Sequence, residues 1–347
     1  MHGNTPLHLL CNREDVSSEL PTIILDVCPD AAKVKDIDDS TPLHLLLKHQ
    51  TVTLDVVMTL LNAYPEAAKE KDIGGDTPLH FLCRRGDVSS ELLTIILNAC
   101  PDAAKVKGFD GRTPLHFLCE FSWRYTTPFT GREDVSLDVL MVVLNAYPEA
   151  AKEKDIDGNT PLHLLCNRED VSLDVLMVLF NAYPEAAKEK NIDGSTPLHL
   201  LLYERRDVSL ELLTILLNAY PEAAKEKDFL GDTPLHLLCD REDVSSELLT
   251  ILLNAYPEAA KEKNIDGNIP LHLLLEHQTV SLDVVMVLLN AYPEAAREKD
   301  LYDETPLNYI CCNENASLEI FHKGKGVFMK RHLSSFYVEK EMCHWMW

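Results

Sequence analysis

The sequence predicts an all-α solenoid of short helix-turn-helix modules, and three observations carry that prediction. Thr-Pro-Leu-His or a close variant begins at Thr5, Thr41, Thr77, Thr113, Thr160, Thr196, Thr233, Ile269 and Thr305. The intervals between these nine starts are all 36 residues, except one of 37 and one of 47. A fixed period of this length marks a stacked array of supersecondary units. Proline keeps the same period, since 17 of the 19 prolines fall either at the second position of the motif or in a (Tyr/Cys)-Pro slot. The composition, 46% hydrophobic and 25% charged, is that of a folded chain rather than a disordered one.

The module that starts at Thr160 shows why each element forms. Thr160 suits an N-cap, and Pro161 takes the first helical position, where a missing N–H costs nothing. A short helix over Leu162–Cys166 follows, then the polar turn NREDV at 167–171. Ser172 caps a second helix, with Asp174 in its first turn to complement the helix dipole. Val175, Leu176, Leu179, Phe180 and Tyr183 recur at helical spacing and form one apolar stripe. Pro184 either ends that helix or opens a further short turn in PEAAKEK, and Asn191-Ile-Asp-Gly194 has the chemistry to reverse the chain. One such module cannot bury both apolar faces, but a stack of them can.

The G-x-TPLH start, the turn and the Leu-rich second helix resemble the ankyrin repeat, whose common module is shorter at about 33 residues. About two extra residues lie between the helices, in REDVS, and one around YPEAAKEK; the usual inter-helix Gly-His is missing. The resemblance covers residues 1 to about 321. It implies that the motif histidine acts as a staple near the reversing loops, linking neighbouring modules. That position holds His8, His44, His80, His116, His163, His199, His236 and His272, with Asn308 in the ninth module.

Three residues beyond stand Cys11, Cys83, Cys119, Cys166, Cys239 and Cys311, replaced elsewhere by Leu47, Leu202 and Leu275. His-x-x-Cys could mark a metal site, but zinc needs four ligands, or three and a water. Leucine exchanges with the cysteine freely, as a packing position allows. The chain has no GxSxG, no Gly-rich phosphate loop and no HExxH. Paired acids such as Glu169–Asp170 and Glu153–Asp155 read as solvated turns. The expectation is therefore a non-enzyme with no cofactor and no metal.

A net charge of −24 argues against nucleic acid and anionic lipid, which it would repel, and favours basic or neutral protein surfaces. No secretory signal leads the chain, and the longest apolar runs, such as VLMVVLNAY at 139–147, are too short to span a bilayer. The sequence thus points to an intracellular, cytoplasmic protein whose ten cysteines need no disulfide framework. It does not specify an oligomeric state.

Information in a repeat sits where the modules differ. The reversing loops vary at their tips: IDDS (37–40), IGGD (73–76), FDGR (109–112), IDGN (156–159), FLGD (229–232) and LYDE (301–304). Tip residues Asp110, Arg112, Asp157, Asn159, Asp193, Leu230 and Asp232 are candidate partner contacts; neutral drift of exposed loops is the competing reading. The 47-residue interval holds an insertion at residues 120–131, EFSWRYTTPFTG, which brings Phe121, Trp123, Arg124, Tyr125 and Phe129. These are interface-anchor residue types, so the insertion reads either as a contact arm or as a loop whose aromatics fold back.

The last break comes at the C-terminus, where Ser317–Phe321 still matches the start of a second helix and the pattern dissolves beyond residue 321. Residues 322–347 form a divergent tail or cap with a basic run at 322–332. The start at Met1 falls partway through a reversing loop, which suggests truncation and an open face exposing Leu7, Leu10 and Leu20. The expected function is a protein-interaction scaffold or adaptor that uses loop tips and a concave face. The alternative is the regulatory repeat region of a larger enzyme or channel.

Overall fold

A computed structural model describes residues 3–309, apart from 15, 50–51, 86–87, 122–136, 169–171, 205–207, 278–279 and 307. Two compact units divide between Ile192 and Asp193. The first carries α1 (Pro6–Cys11), α2 (Glu19–Val27), α3 (Pro42–Leu47), α4 (Leu54–Ala63), α5 (Pro78–Cys83), α6 (Ser90–Ala99), α7 (Pro114–Phe121), α8 (Leu137–Ala146), α9 (Pro161–Cys166) and α10 (Leu173–Ala182). The second carries α11 (Pro197–Glu204), α12 (Leu210–Ala219), α13 (Pro234–Cys239), α14 (Ser246–Ala255), α15 (Pro270–Glu276) and α16 (Leu282–Ala291). No strand occurs among the described residues.

Helices of six residues do not hold together alone, so these are stable only by packing. In the first unit α1, α3, α5, α7 and α9 pack in succession as one layer, and α2, α4, α6, α8 and α10 as the other. The second unit repeats this with α11, α13 and α15 against α12, α14 and α16. Leu162, Leu165 and Cys166 of α9 and Val175, Leu176 and Leu179 of α10 fill the space between layers. Phe180 and Tyr183 are only half-buried, so the apolar stripe is narrower than its spacing predicts. Ser172 Oγ accepts from Val175 N at 3.4 Å, which is the N-cap its sequence position implies.

The structure takes the second of the two readings of Pro184 and corrects two other expectations. Pro184 opens a five-residue 3-10 helix, Pro184–Lys188, and the same element recurs in every described module. Its two alanines are buried, so this short turn contributes to the core. Asp155 is buried too: its Oδ1 accepts from Asp157 N at 3.0 Å and Asn159 N at 2.8 Å, which folds the reversing loop. Leu7 is fully buried, because α1 turns it toward α3, while Leu9 and Leu20 are exposed and Leu10 is intermediate.

Candidate functional site

The motif histidines are buried, and in six of them a bond is seen at each ring nitrogen. In His80 the Nδ1 accepts from Thr77 N at 3.0 Å, and Nε2 lies 3.1 Å from the carbonyl of Arg112 in the next module. A ring that accepts at Nδ1 from a backbone N–H must donate at Nε2 to a carbonyl, so the neutral Nε2–H tautomer is fixed. His8, His44, His116, His236 and His272 make the same bridge, to Ser40, Asp76, Asn159, Asn268 and Glu304 respectively. Burial pulls His44, His80, His116 and His236 down to about 4, which keeps them neutral. In these six no ring nitrogen is left for a metal ion, and the imidazole staples one module to the next. Burial pushes the neighbouring thiols Cys11 and Cys119 up to about 12, where thiolate chemistry is suppressed.

The reversing loops join edge to edge. Ile156 N donates to the Asp110 carbonyl at 2.8 Å, and Ile192 N to the Asp157 carbonyl at 2.9 Å. In the second unit Phe229 N donates to Asp193 O at 2.7 Å, Ile265 N to Leu230 O at 2.9 Å and Leu301 N to Asp266 O at 3.0 Å. Below the tips, Lys154 Nζ meets Glu189 Oε2 at 2.8 Å and the Lys190 carbonyl at 3.0 Å. Glu189 also accepts from Tyr183 Oη at 3.2 Å. Lys227, Glu262 and Tyr256 repeat the arrangement. Glu153 belongs to the same ladder, paired with Lys107 at 2.6 Å, and is not a free surface acid.

With the tip backbones joined in this way, side chains are what the tips present. The first tip position carries Ile37, Ile73, Phe109, Ile156 and Ile192 in one unit and Phe229, Ile265 and Leu301 in the other. All eight are large, apolar and 55–78% exposed. Composition gave no hint of this, but a column of the aligned modules would have shown it. Singly exposed apolar residues are ordinary; here they recur at one position, flanked by Asp38 and Asp157 in the first unit and by Asp193 and Asp266 in the second.

The residues proposed from sequence divide around this row. Asp157, Asp193 and Leu230 are exposed beside it. Asp110 stands at the edge, with Oδ1 taken by Arg112 N at 3.0 Å. Asn159 is half-buried and accepts from Asn191 Nδ2 at 3.0 Å. Asp232 is buried and accepts from Asn264 Nδ2 at 2.9 Å. Arg112 is folded inward: it pairs with Glu120, lies 3.6 Å from Asp110 and from Asp155, and sits over the Phe117 ring. Phe121 closes α7, while Trp123, Arg124, Tyr125 and Phe129 lie outside the described residues, as does the tail from 322.

Stapled two-helix modules with a reversing loop define the ankyrin-repeat fold, and the solved structures agree. The chain is similar to the ankyrin repeat domain of Bcl-3, described as a unique member of the IkappaB protein family. That likeness has 20% identity and a TM-score of 0.52, and covers 72% of this chain and 99% of that one. No family model and no curated protein matches the sequence. Among the described residues, no helix is long and apolar enough to cross a membrane, and no group of three His, Cys, Asp or Glu is placed to hold a metal ion.

Proposed function

We propose that this chain is a non-catalytic scaffold that binds other polypeptides through its loop tips. The observation that carries the reading is the row of exposed apolar residues, Ile37 to Ile192 in one unit and Phe229 to Leu301 in the other. Such a row costs solubility unless something covers it, and the joined tip backbones make it a side-chain surface rather than a strand edge. Carboxylates along its rim and the net charge of −24 favour a partner with basic or neutral surface over nucleic acid. The insertion at residues 120–131 is proposed as a second contact arm, on the strength of its aromatic and arginine content. This reading puts the protein inside the cell, where thiols that share a position with leucine stay reduced.

The test replaces Phe109, Ile156 and Phe229 by serine together and compares capture of proteins from a native extract, identified by mass spectrometry. The reading expects specific proteins held by the wild type and lost by the variant, with an unchanged melting temperature. The same proteins held by both would overturn it.

A further inference from the structure

Two stretches of this chain, 156 residues apart, build the same slot from different charges. Between α5 and α7 the slot is self-filled. Arg84 Nη2 reaches Asp76 Oδ2 at 2.6 Å, its guanidinium 4.7 Å from the Phe117 ring centroid and 5.5 Å from that of Phe81. Arg112 adds a second guanidinium on Glu120, beside Asp110.

Between α13 and α15 every one of these positions has its counterpart, and both arginines are gone. Asp232 stands for Asp76, Asp240 for Arg84, Asp266 for Asp110, Asn268 for Arg112 and Glu276 for Glu120. Both phenylalanines become leucines, Leu237 and Leu273. What remains is a cavity of about 250 Å³, lined by these residues together with His236 and Asn264. Four carboxylates face it where the first slot has three carboxylates and two guanidiniums.

Two further observations point to a missing donor, beyond the Asn264 Nδ2 that Asp232 already accepts from at 2.9 Å. Asn268 is nine-tenths buried, and its Oδ1 has no hydrogen-bond partner although it lines the cavity. A buried acceptor left unpaired is costly and calls for a donor. Burial holds Asp232 up to about 6 and pushes Asp240 and Glu276 above the usual carboxylate range. Among the described residues, the titratable base that acts on Asp240 and Glu276 is His277.

We propose that the cavity between α13 and α15 receives an arginine side chain from a bound polypeptide. The chain itself supplies the precedent, since it seats a guanidinium on Asp76 in the equivalent place. The planar, five-donor guanidinium suits Asp232, Asp240, Glu276 and the orphaned Asn268 Oδ1 better than a compact ammonium. A metal ion is disfavoured, because no three of these side chains are placed to hold one. The inference rests on the scaffold reading but commits to its own site and its own chemistry.

The experiment titrates the full chain, methyl-labelled at leucine, with the peptide acetyl-Gly-Gly-Arg-Gly-Gly-amide and with its citrulline analogue. Arginine peptide is expected to shift the Leu237 and Leu273 methyl resonances, and citrulline peptide is not. D240N is expected to weaken the response at least about 10-fold, as loss of one charge-assisted pair implies. D240R should recreate the filled slot, abolish the response and raise the melting temperature by about 2 °C. Equal responses to the two peptides, an unchanged response in D240N, or no response in the wild type would each overturn the proposal. The serine variant of the tips leaves this cavity intact, so lost capture there and a lost leucine shift in D240N report on separate claims.

Discussion

Acid should unfold this protein through its histidine staples, and the size of the effect can be worked for one of them. His236 sits at about 4 in the folded chain, against an ordinary value of 6.5. Its folded value is depressed, so above pH 6.5 the ring is neutral in both states and contributes no pH dependence. As pH falls below 6.5 the unfolded chain takes up the proton and the folded chain does not, so stability is lost until about pH 4. At about pH 5 that is 1.5 units below the unfolded value, a loss of about 2 kcal/mol for the single residue.

His44, His80 and His116 share the shift, so the four together remove about 8 kcal/mol by pH 5, comparable with the whole stability of an ordinary domain. Carboxylates do not cause this loss. Glu153, Glu189 and Glu262, held low chiefly by their lysine partners, surrender stability only below pH 4.5, and Asp232, held high, gains on acidification. The perturbation is His236→Asn, the residue that Asn308 already supplies in the ninth module. Urea unfolding followed by far-UV circular dichroism at about pH 7.5 and about pH 5 gives the stability gap between wild type and variant. That gap should shrink by about 2 kcal/mol on acidification. A gap that stays constant would refute the neutral-staple reasoning, whatever its size.

Other consequences follow from the same geometry. Gly75 adopts φ +78° and a Cβ there would lie 2.7 Å from the Phe109 ring, so Gly75→Ala should cost at least about 1–2 kcal/mol in chemical denaturation. Asp39 occupies the same turn position at φ 56°, and Asp39→Gly should gain about 0.5 kcal/mol by relieving it. Lys154→Met, which removes a half-exposed pair with Glu189, should cost about 0.5–1 kcal/mol at low salt and less at high salt. Among the described cysteines, thiol labelling of the native chain with peptide mapping should modify exposed Cys28 first and leave Cys11, Cys83, Cys119, Cys166 and Cys239 protected until denaturant is added.

The repeat was legible because its signals are local. Thr-Pro at a helix start, serine at an N-cap and leucine at helical spacing each act within one turn of chain, and the structure places them as the spacing implies. The 3-10 helix was half-legible: proline announces a break, but Ala186 and Ala187 look like turn filler until the neighbouring module closes over them. Lys154, Glu189 and Tyr183 were opaque for the same reason, since the lysine meets a glutamate about one period away. Asp155 looked solvated because an acid in a polar run normally is; its burial comes from the turn it ties.

The slots carry that logic furthest. Read along the chain, Arg84 and Asp240 are two surface charges after short helices, and nothing local separates them. Only the fold shows that Arg84 turns back onto Asp76, whereas Asp240 shares a cavity with Asp232, Asp266 and Glu276. In a repeat array the modules act as one another's reference state: same backbone, same neighbours, different charge. A chain that gives a buried carboxylate a guanidinium in one copy and only the Asn264 amide in another gives up stability there, since a buried acid without a cationic partner is costly. Partner binding is the circumstance that returns that stability, and it makes the cost specific, because only a guanidinium recovers all of it.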